Sequence, residues 1–219
     1  MILEIDNVEL NFKSKRILNG IYLKAETGTV TGILGNNGCG KSCLLKIIFG
    51  NLQPKYKLIR IDSNPILKPL YQTKLVSYLP QHKFLPNLKL CTLFKLFKVS
   101  WKGFILTFST LKKYEKTKIN SLSGGEQRIV EIYLILKSDS KIVLLDEPFS
   151  HVAPLQIEYI KQIINTEKKH KVVIITDHMY SHIIETSDEI YLLKNGCTKK
   201  IEKMNELEDY KYLNEGSLI

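Results

Sequence analysis

Cysteine is scarce in this sequence, which bears on both its metal chemistry and its compartment. The 219 residues include four cysteines, at positions 39, 43, 91 and 197, and no CxxC pair. Cys39 and Cys43 stand four residues apart, but no second pair lies elsewhere at the spacing of metal ligands. A disulfide scaffold and a zinc module are therefore excluded, and a reducing cytosol is the expected compartment.

Long apolar runs are also lacking. No stretch approaches the roughly 18 apolar residues of a membrane-spanning helix. The start of the chain, Met-Ile-Leu-Glu-Ile-Asp, carries acids instead of the apolar centre of a signal peptide. We therefore expect a soluble chain with neither a secretory signal nor a membrane helix of its own. Its length suffices to bury a sizeable core, most simply as one domain.

Acidic residues are nearly absent from the segment 83–120, which we call the basic segment. It holds nine lysines against one acid, Glu115, and so carries +8 of the formal net charge of +10. The same segment holds seven aromatic residues: Phe84, Phe94, Phe97, Trp101, Phe104, Phe108 and Tyr114. Three interpretations are open: a solvated helical face over an aromatic core, a docking surface for a partner at a membrane, and a nucleic-acid patch.

Apolar runs rich in β-forming residues alternate with helical patterns along the rest of the chain. Two runs, Ile142–Leu145 and Val172–Thr176, are continuous, which indicates strands buried on both faces as in a parallel sheet. The other predicted strands are Ile2–Ile5, Ile17–Leu23, Val30–Leu34, Leu58–Ile61, Leu75–Leu79 and Glu189–Leu193, and the predicted helices are Lys41–Phe49, Gly124–Leu136, Leu155–Thr166 and Ser181–Thr186. This order predicts an α/β fold with a small β-rich start. The basic segment interrupts it, so we expect an inserted helical subdomain at 83–120 and a core formed by 1–82 and 121–219.

A glycine-rich loop follows the predicted strand Thr29–Leu34 and opens the helix at Lys41. It reads Gly35, Asn36, Asn37, Gly38, Cys39, Gly40, Lys41 and Ser42, which is G-x-x-x-x-G-K-S in the strand–loop–helix context that the pattern requires. The glycines let backbone N–H groups turn towards phosphate oxygens. The helix N-terminus and Lys41 add positive charge, and Ser42 offers a hydroxyl to Mg²⁺. We predict a phosphate-binding loop in preference to a structural turn with an incidental lysine.

Two adjacent acids, Asp146 and Glu147, end the apolar run Ile142–Leu145. A carboxylate at the end of a buried strand beside a phosphate loop can hold Mg²⁺ through water. Its neighbour can orient or deprotonate an attacking water. His178 follows the next apolar strand, and although a lone histidine there is more often structural, in this context it can reach a γ-phosphate. The acids and the loop are therefore predicted to form one site.

A second glycine-containing loop, Ser121-Leu-Ser-Gly-Gly-Glu-Gln-Arg128, enters the helix predicted to begin at Gly124. It forms another anion nest in a chain whose phosphate loop is already complete. Such a nest makes sense if it serves the nucleotide bound to a second subunit.

With these motifs the sequence resembles the ATP-binding cassette (ABC) ATPases over essentially its whole length, and the Leu-Ser-Gly-Gly-Glu-Gln motif is close to unique to that family. The resemblance implies a P-loop NTPase fold with a RecA-like core and a mostly parallel sheet, an N-terminal antiparallel β subdomain and an inserted helical subdomain. It also implies a head-to-tail homodimer that sandwiches two ATP molecules with Mg²⁺. Each ATP would lie between the phosphate loop of one subunit and Ser123 and Gly125 of the other.

The resemblance assigns further roles by position. Gln81 in Leu-Pro-Gln would sense Mg²⁺ and the state of the partner. Asp146 would support the metal with Ser42, and Glu147 would act as the catalytic base. His178 would be the switch histidine. Phe12 matches the aromatic residue that stacks on adenine.

A narrower likeness is to the ATPase subunit of the lipopolysaccharide exporter. It is carried by Ser121–Ile132, Leu144–Phe149, Ile175–His178 and a tail with Tyr-Leu-x-Glu at 212–215.

The sequence departs from the family pattern at two positions, and a third residue, Cys39 of the phosphate loop, has two possible roles. Ala153 stands where an aspartate usually crosses the dimer interface. Cys43 stands where threonine or serine is usual, which removes a hydroxyl contact to the α-phosphate. Cys39, between glycines and near Lys41, is either a small inert residue or a thiol of lowered pKa that oxidises easily.

The resemblance implies an ATPase subunit that powers a membrane transporter and lies on the cytoplasmic face of the membrane, with permease subunits docked near the basic segment. Two alternatives remain: a soluble ABC protein acting on nucleic acid or ribosomes, and a hydrolysis-poor regulatory cassette. The single cassette without a coiled-coil insert argues against the first, and the complete set of Lys41, Gln81, Glu147 and His178 argues against the second.

Overall fold

A six-stranded sheet forms the centre of the computed structural model, which describes residues 1–13, 15–214 and 216. Its strand order is β10-β9-β3-β8-β7-β6. The strands are β3 (Val30–Leu34), β6 (Val76–Leu79), β7 (Ile142–Asp146), β8 (Val172–Thr176), β9 (Glu189–Lys194) and β10 (Cys197–Ile201). All neighbours pair in parallel except β10, which pairs antiparallel with β9. Strands β3, β7 and β8 are buried at every residue, as their continuous apolar sequences predict.

A second sheet is built mostly from the start of the chain and is antiparallel throughout. It has the order β2-β1-β4-β5, with β1 (Ile2–Phe12), β2 (Lys15–Glu26), β4 (Tyr56–Ile61) and β5 (Asn64–Pro65). The α/β fold class with an antiparallel N-terminal sheet is thus confirmed.

Strand β2 joins the two sheets through hydrogen bonds at their common edge. The amide of Asn19 donates to the carbonyl of Gly196 at 2.8 Å. The amide of Tyr22 donates to Oγ1 of Thr198 at 3.0 Å. These bonds attach the N-terminal sheet to the β9–β10 edge of the central sheet.

Helices cover both faces of the central sheet and create two apolar cores. The helices are α1 (Lys41–Phe49), α2 (Leu90–Leu96), α3 (Trp101–Thr107), α4 (Gly124–Lys137), α5 (Pro154–Glu167), α6 (Tyr180–Thr186) and α7 (Glu206–Asp209). One core lies between α1 and the two sheets, and the other packs α4 and α5 against the opposite face. The four predicted helices match the observed ones to within one residue at each end. Among the described residues no helix is both long and apolar enough to cross a membrane.

The basic segment is largely helical, and its aromatic residues are buried or half-buried except Phe84, which is exposed. It contains α2, α3 and two short 3-10 turns. Phe94 and Phe104 are almost fully buried, and the Phe104 ring packs edge-on against Tyr133 of α4 at 5.0 Å between centroids. All nine lysines are exposed. The interpretation as a solvated lysine face over an aromatic core therefore holds, while the division of the chain at 83–120 stays a prediction.

Glu167 joins three elements on the α4–α5 face. Its carboxylate lies 2.7 Å from Nζ of Lys137 and 2.9 Å from Nζ of Lys171, which is itself buried. Burial by itself raises the pKa of Glu167, but the hydrogen bonds from both lysines outweigh it and hold the pKa below its ordinary value. The folded state thus favours the ionised carboxylate.

Glu167→Gln is expected to lower the free energy of unfolding by about 2 kcal/mol at neutral pH, because buried Lys171 loses its counter-charge. The carboxylate's stabilisation is complete above the unfolded pKa of about 4.5 and is lost as pH falls through the lower folded pKa. Urea unfolding of both proteins at pH 7 and at pH 4 measures the difference, which should shrink at the lower pH. An equal difference at both pH values would contradict this account.

Candidate functional site

The predicted phosphate loop lies between β3 and α1, and its backbone requires glycine at the last turn. Gly40 has φ +112° and precedes α1 as its N-cap. A Cβ there would lie 2.8 Å from Cδ2 of Leu18. The ammonium of Lys41, almost fully buried, donates hydrogen bonds to the carbonyls of Gly35 and Asn36. A buried cation at a helix N-terminus, wrapped by its own loop, is an arrangement suited to anionic oxygens.

Asp146 is the buried acid at the end of β7, with 1% of its surface exposed. Its Oδ1 accepts hydrogen bonds from Oγ of Ser42 at 3.0 Å and from Oγ1 of Thr176 at 3.0 Å. Its Oδ2 accepts one from the hydroxyl of Tyr78 at 2.9 Å. Burial and the nearby Asp146 raise the pKa of Tyr78, so this hydroxyl stays a donor at neutral pH. The structure therefore brings together Ser42, Asp146 and Thr176, and adds Tyr78, which the sequence did not single out.

Glu147 follows β7 in the left-handed region, with φ +49°. Its Oε2 accepts a hydrogen bond from Nε2 of Gln81 at 3.0 Å. Oγ of Ser150 and Nδ1 of His178 each lie 3.4 Å from the same oxygen. Nδ1 of His178 also lies 3.3 Å from Asp177. Three side chains from separate segments thus converge on one carboxylate oxygen, which is the arrangement expected of an oriented base.

A cleft of about 570 Å³ collects most of the predicted site residues. Its walls are formed by Phe12, Ile17, Asn37, Gly38, Gly40, Lys41, Ser42, Cys43, Gln81, Glu147 and His178. Asp146 lies beneath it, bonded to Ser42. Phe12 is half exposed at the cleft's edge, where an aromatic ring is available to a planar base. Asn36 and Cys39 line a neighbouring cavity on the outer side of the loop.

Ser123 and Gly125 do not line this cleft. Ser123 caps α4, because its Oγ accepts a hydrogen bond from the amide of Glu126 at 3.3 Å. In return, the carboxylate of Glu126 accepts a hydrogen bond from the amide of Ser123 at 2.8 Å. Both Ser123 and Gly125 line a second cavity of about 400 Å³ with Ala153. A Cβ at Gly125 would lie 2.8 Å from the carbonyl oxygen of His151. Their predicted contact with ATP therefore needs a nucleotide presented from outside this chain.

The residues near Asp146 fit a magnesium ion held jointly with a nucleotide. The described part of the chain contains no cluster of three or more histidine, cysteine or acidic side chains that would form a complete metal site. Mg²⁺ is usually held by one or two protein oxygens together with substrate phosphates and water. The adjacent oxygens of Ser42 and Asp146 match that limited donor set.

The two cysteines of the loop are packing residues. Burial is the largest influence on both Cys39 and Cys43, and it raises the pKa of each thiol despite the lowering effect of the neighbouring lysines. The sulfur of Cys39 would lie 2.7 Å from a Cβ at Gly35. The raised pKa of Cys39 runs against the interpretation as a thiol of lowered pKa and favours that of a small inert residue.

Comparisons with known proteins agree with these motifs. Residues 18–150 match the model of the family described as ABC transporter. An uncharacterized ABC transporter ATP-binding protein of Methanocaldococcus jannaschii is 34% identical over 212 residues, which cover 90% of this chain and 84% of that protein.

The likeness to a lipopolysaccharide-exporter ATPase also appears in the comparisons. The lipopolysaccharide export system ATP-binding protein LptB of Haemophilus influenzae is 28% identical over 212 residues, which cover 89% of this chain and 88% of that protein. In the predicted tail motif, Tyr212 and Leu213 are described, whereas Glu215 lies outside the described residues. A solved structure of the ATP binding subunit of an ABC transporter superposes with a TM-score of 0.85 at 21% identity, covering 100% of this chain and 96% of that one. This last match supports the fold.

Proposed function

This chain belongs to the ABC transporter family of ATP-binding proteins, and from that premise we propose that it hydrolyses ATP to power a membrane transporter. The observation that carries the proposal is the Glu147 carboxylate, on which Gln81, Ser150 and His178 converge in the cleft of Lys41. A base held from three sides beside a phosphate loop is suited to activating water.

Each part of the cleft has one task in this proposal. The phosphate loop and Lys41 bind the phosphates of ATP, and the Phe12 ring stacks on the adenine. Glu147 accepts the proton of the attacking water, while His178 donates to the γ-phosphate and stays oriented by Asp177. Ser42, Asp146 and Gln81 would hold Mg²⁺, which would supply positive charge to the phosphate oxygens.

A second copy of the chain completes the site. The N-terminus of α4, a helix of 14 residues, carries the anion nest of Ser123 and Gly125 but lies apart from the chain's own cleft. In a head-to-tail homodimer each nest reaches the ATP on the other subunit's phosphate loop. ATP binding then favours the closed dimer, and hydrolysis releases it.

The membrane partner is a permease that docks near the basic segment on the cytoplasmic side. All nine lysines there are exposed over an aromatic core, which suits anionic headgroups and the cytoplasmic loops of a membrane protein. The likeness to LptB supports lipopolysaccharide as the transported substrate. The identity of the permease that co-purifies with the chain would test this substrate.

Purification of the tagged chain from gently solubilised membranes tests the assignment. A polytopic membrane protein should co-purify with it at about one permease assembly per ATPase dimer, and the complex should hydrolyse ATP faster than the free chain. A chain that remains wholly in the soluble fraction without a membrane partner would contradict the proposal. Nucleic-acid binding whose affinity falls steeply with salt would favour the soluble alternative instead.

A further inference from the structure

We propose that Arg128, with Glu131, is a positioning residue that fixes the catalytic base Glu147 relative to Gln81. The inference deepens the proposed hydrolysis by naming what holds its base in place. It concerns two buried residues of α4 that touch neither the phosphate loop nor, in this proposal, the nucleotide.

The guanidinium of Arg128 binds the backbone on both sides of the cleft. Nη2 donates to the carbonyl of Asp146 at 2.8 Å and to that of Glu147 at 3.0 Å. Nη1 donates to the carbonyl of Pro80 at 2.8 Å. Pro80 precedes Gln81, so one side chain links the backbone of the acid pair to the backbone that carries the glutamine. The planar fork places two nitrogens on carbonyls in different directions, Nη1 on Pro80 and Nη2 on the acid pair, and the single nitrogen of a lysine cannot occupy both positions.

Glu131 extends the link to the basic segment. Its Oε2 lies 3.3 Å from Nη1 of Arg128, and its Oε1 accepts a hydrogen bond from the amide of Phe84 at 3.2 Å. The pair therefore holds the chain on both sides of Gln81, at Pro80 and at Phe84. The bond of 3.0 Å between Gln81 and Glu147 depends on that hold.

The conformation of Glu147 is the feature that needs such support. A non-glycine residue at φ +49° is strained, and it persists only where surrounding bonds over-determine it. The carbonyl of Glu147 is bound by Arg128 and its amide by the carbonyl of Thr176 at 2.8 Å. Without Arg128 the peptide after Glu147 is free to rotate, and the carboxylate moves with it.

Stability alone does not account for the pair. Arg128 and Glu131 are 6% and 2% exposed. Burial lowers the pKa of Arg128 and raises that of Glu131, although each partner opposes the shift of the other. A pair buried at such a desolvation cost is a poor means of stabilising a fold. What the buried pair supplies instead is a fixed position for the backbone of Asp146 and Glu147.

Arg128→Lys is the decisive substitution, because lysine keeps the charge and loses the fork. We expect kcat for ATP to fall about 10-fold while KM for ATP stays within about 2-fold, since the binding surfaces of the cleft are intact. A crystal structure of the variant should show the Gln81 Nε2 to Glu147 Oε2 bond broken. Arg60→Lys is the matched control, because Arg60 forms only a surface pair with Asp6 at 3.5 Å, and its kinetics should equal those of the wild type.

Two results would overturn the inference. One is a folded Arg128→Lys variant with wild-type kcat or an unbroken bond to Gln81. The other is a loss of kcat/KM that lies entirely in KM, which would make Arg128 an ATP-binding residue. If that variant fails to fold, Glu131→Gln decides by the same measurements, with an expected fall in kcat of about 3-fold and no change in KM. A wild-type protein without ATP turnover refutes the proposed function instead, and the Gln81 to Glu147 distance in the variant's structure still tests the positioning.

Discussion

Glu147→Gln is expected to lower ATP turnover by about 1,000-fold while ATP binding is retained. Glutamine has the volume of glutamate, so the cleft keeps its shape, but its amide cannot accept the proton of the attacking water. The phosphate loop and Lys41 are unchanged by the substitution. Single-turnover hydrolysis and equilibrium binding of ATP, measured on the same preparation, separate the two effects.

The matched control for this experiment is Glu158→Gln. Glu158 is an exposed acid on α5, and the one ion pair it forms within the described residues is with Lys161 at 2.8 Å, a lysine that also pairs with Glu185. Its turnover should equal that of the wild type. If wild type and Glu147→Gln turn over equally slowly, the chain is a hydrolysis-poor regulatory cassette, the alternative that Ala153 suggests.

Gly125→Ala is expected to lower ATP turnover by about 100-fold by displacing the loop at the start of α4, with Glu147 unchanged. Gly125 lies in the first turn of α4, where alanine is the better helix former by roughly 1 kcal/mol. The reason for glycine is therefore steric, because a Cβ would lie 2.8 Å from the carbonyl oxygen of His151. The added methyl group pushes the start of α4 away from the turn after Glu147, and with it the nest offered to the other subunit. ATP binding by the single chain should stay within about 2-fold, which filter binding at low protein concentration measures.

Gly124→Ala provides the comparison within the same turn. A Cβ at Gly124 meets no described atom within 4 Å. Its free energy of unfolding should therefore equal or slightly exceed that of the wild type, whereas that of Gly125→Ala should fall by about 1–3 kcal/mol from overpacking. Wild-type turnover in Gly125→Ala would show that this loop takes no part in hydrolysis.

The sequence predicted the fold correctly where burial produces a recognisable pattern of apolar residues. The strands β7 and β8 are continuous apolar runs because both faces are covered, and their bounds were predicted almost to the residue. Strand β10 was missed, since only Ile201 is buried in it. A usable signal was present: Asn195-Gly196, with φ +51° and +79°, is the turn pair that favours a tight hairpin. The bounds of α2 and α3 were not predicted, because their aromatic residues pack against α4 without a clear period.

The motifs of the candidate site could be predicted from the sequence, but the side chains that hold the motif residues in place could not. Lys41, Ser42, Asp146 and Glu147 were predicted from short motifs, because phosphate and metal binding place such residues next to one another along the chain. Tyr78 and Arg128 bind a carboxylate and backbone carbonyls that are distant along the chain, and no local pattern encodes such partners. An arginine among the apolar residues of α4 was the one available hint, since a buried charge requires partners.

The bonds between β2 and the β9–β10 edge have a consequence for nucleotide binding. Strand β1, which ends in Phe12, pairs with β2, so these bonds connect it to the sheet that carries the phosphate loop. If ATP binds as proposed, Phe12 and the phosphate loop are already held relative to one another, and little of the binding free energy goes into ordering them. That free energy remains available to move the parts outside these two sheets, namely the basic segment and the turn at 147–153. In the proposed mechanism, the end of the molecule that carries Phe12 therefore stays fixed while the basic segment and the turn at 147–153 move.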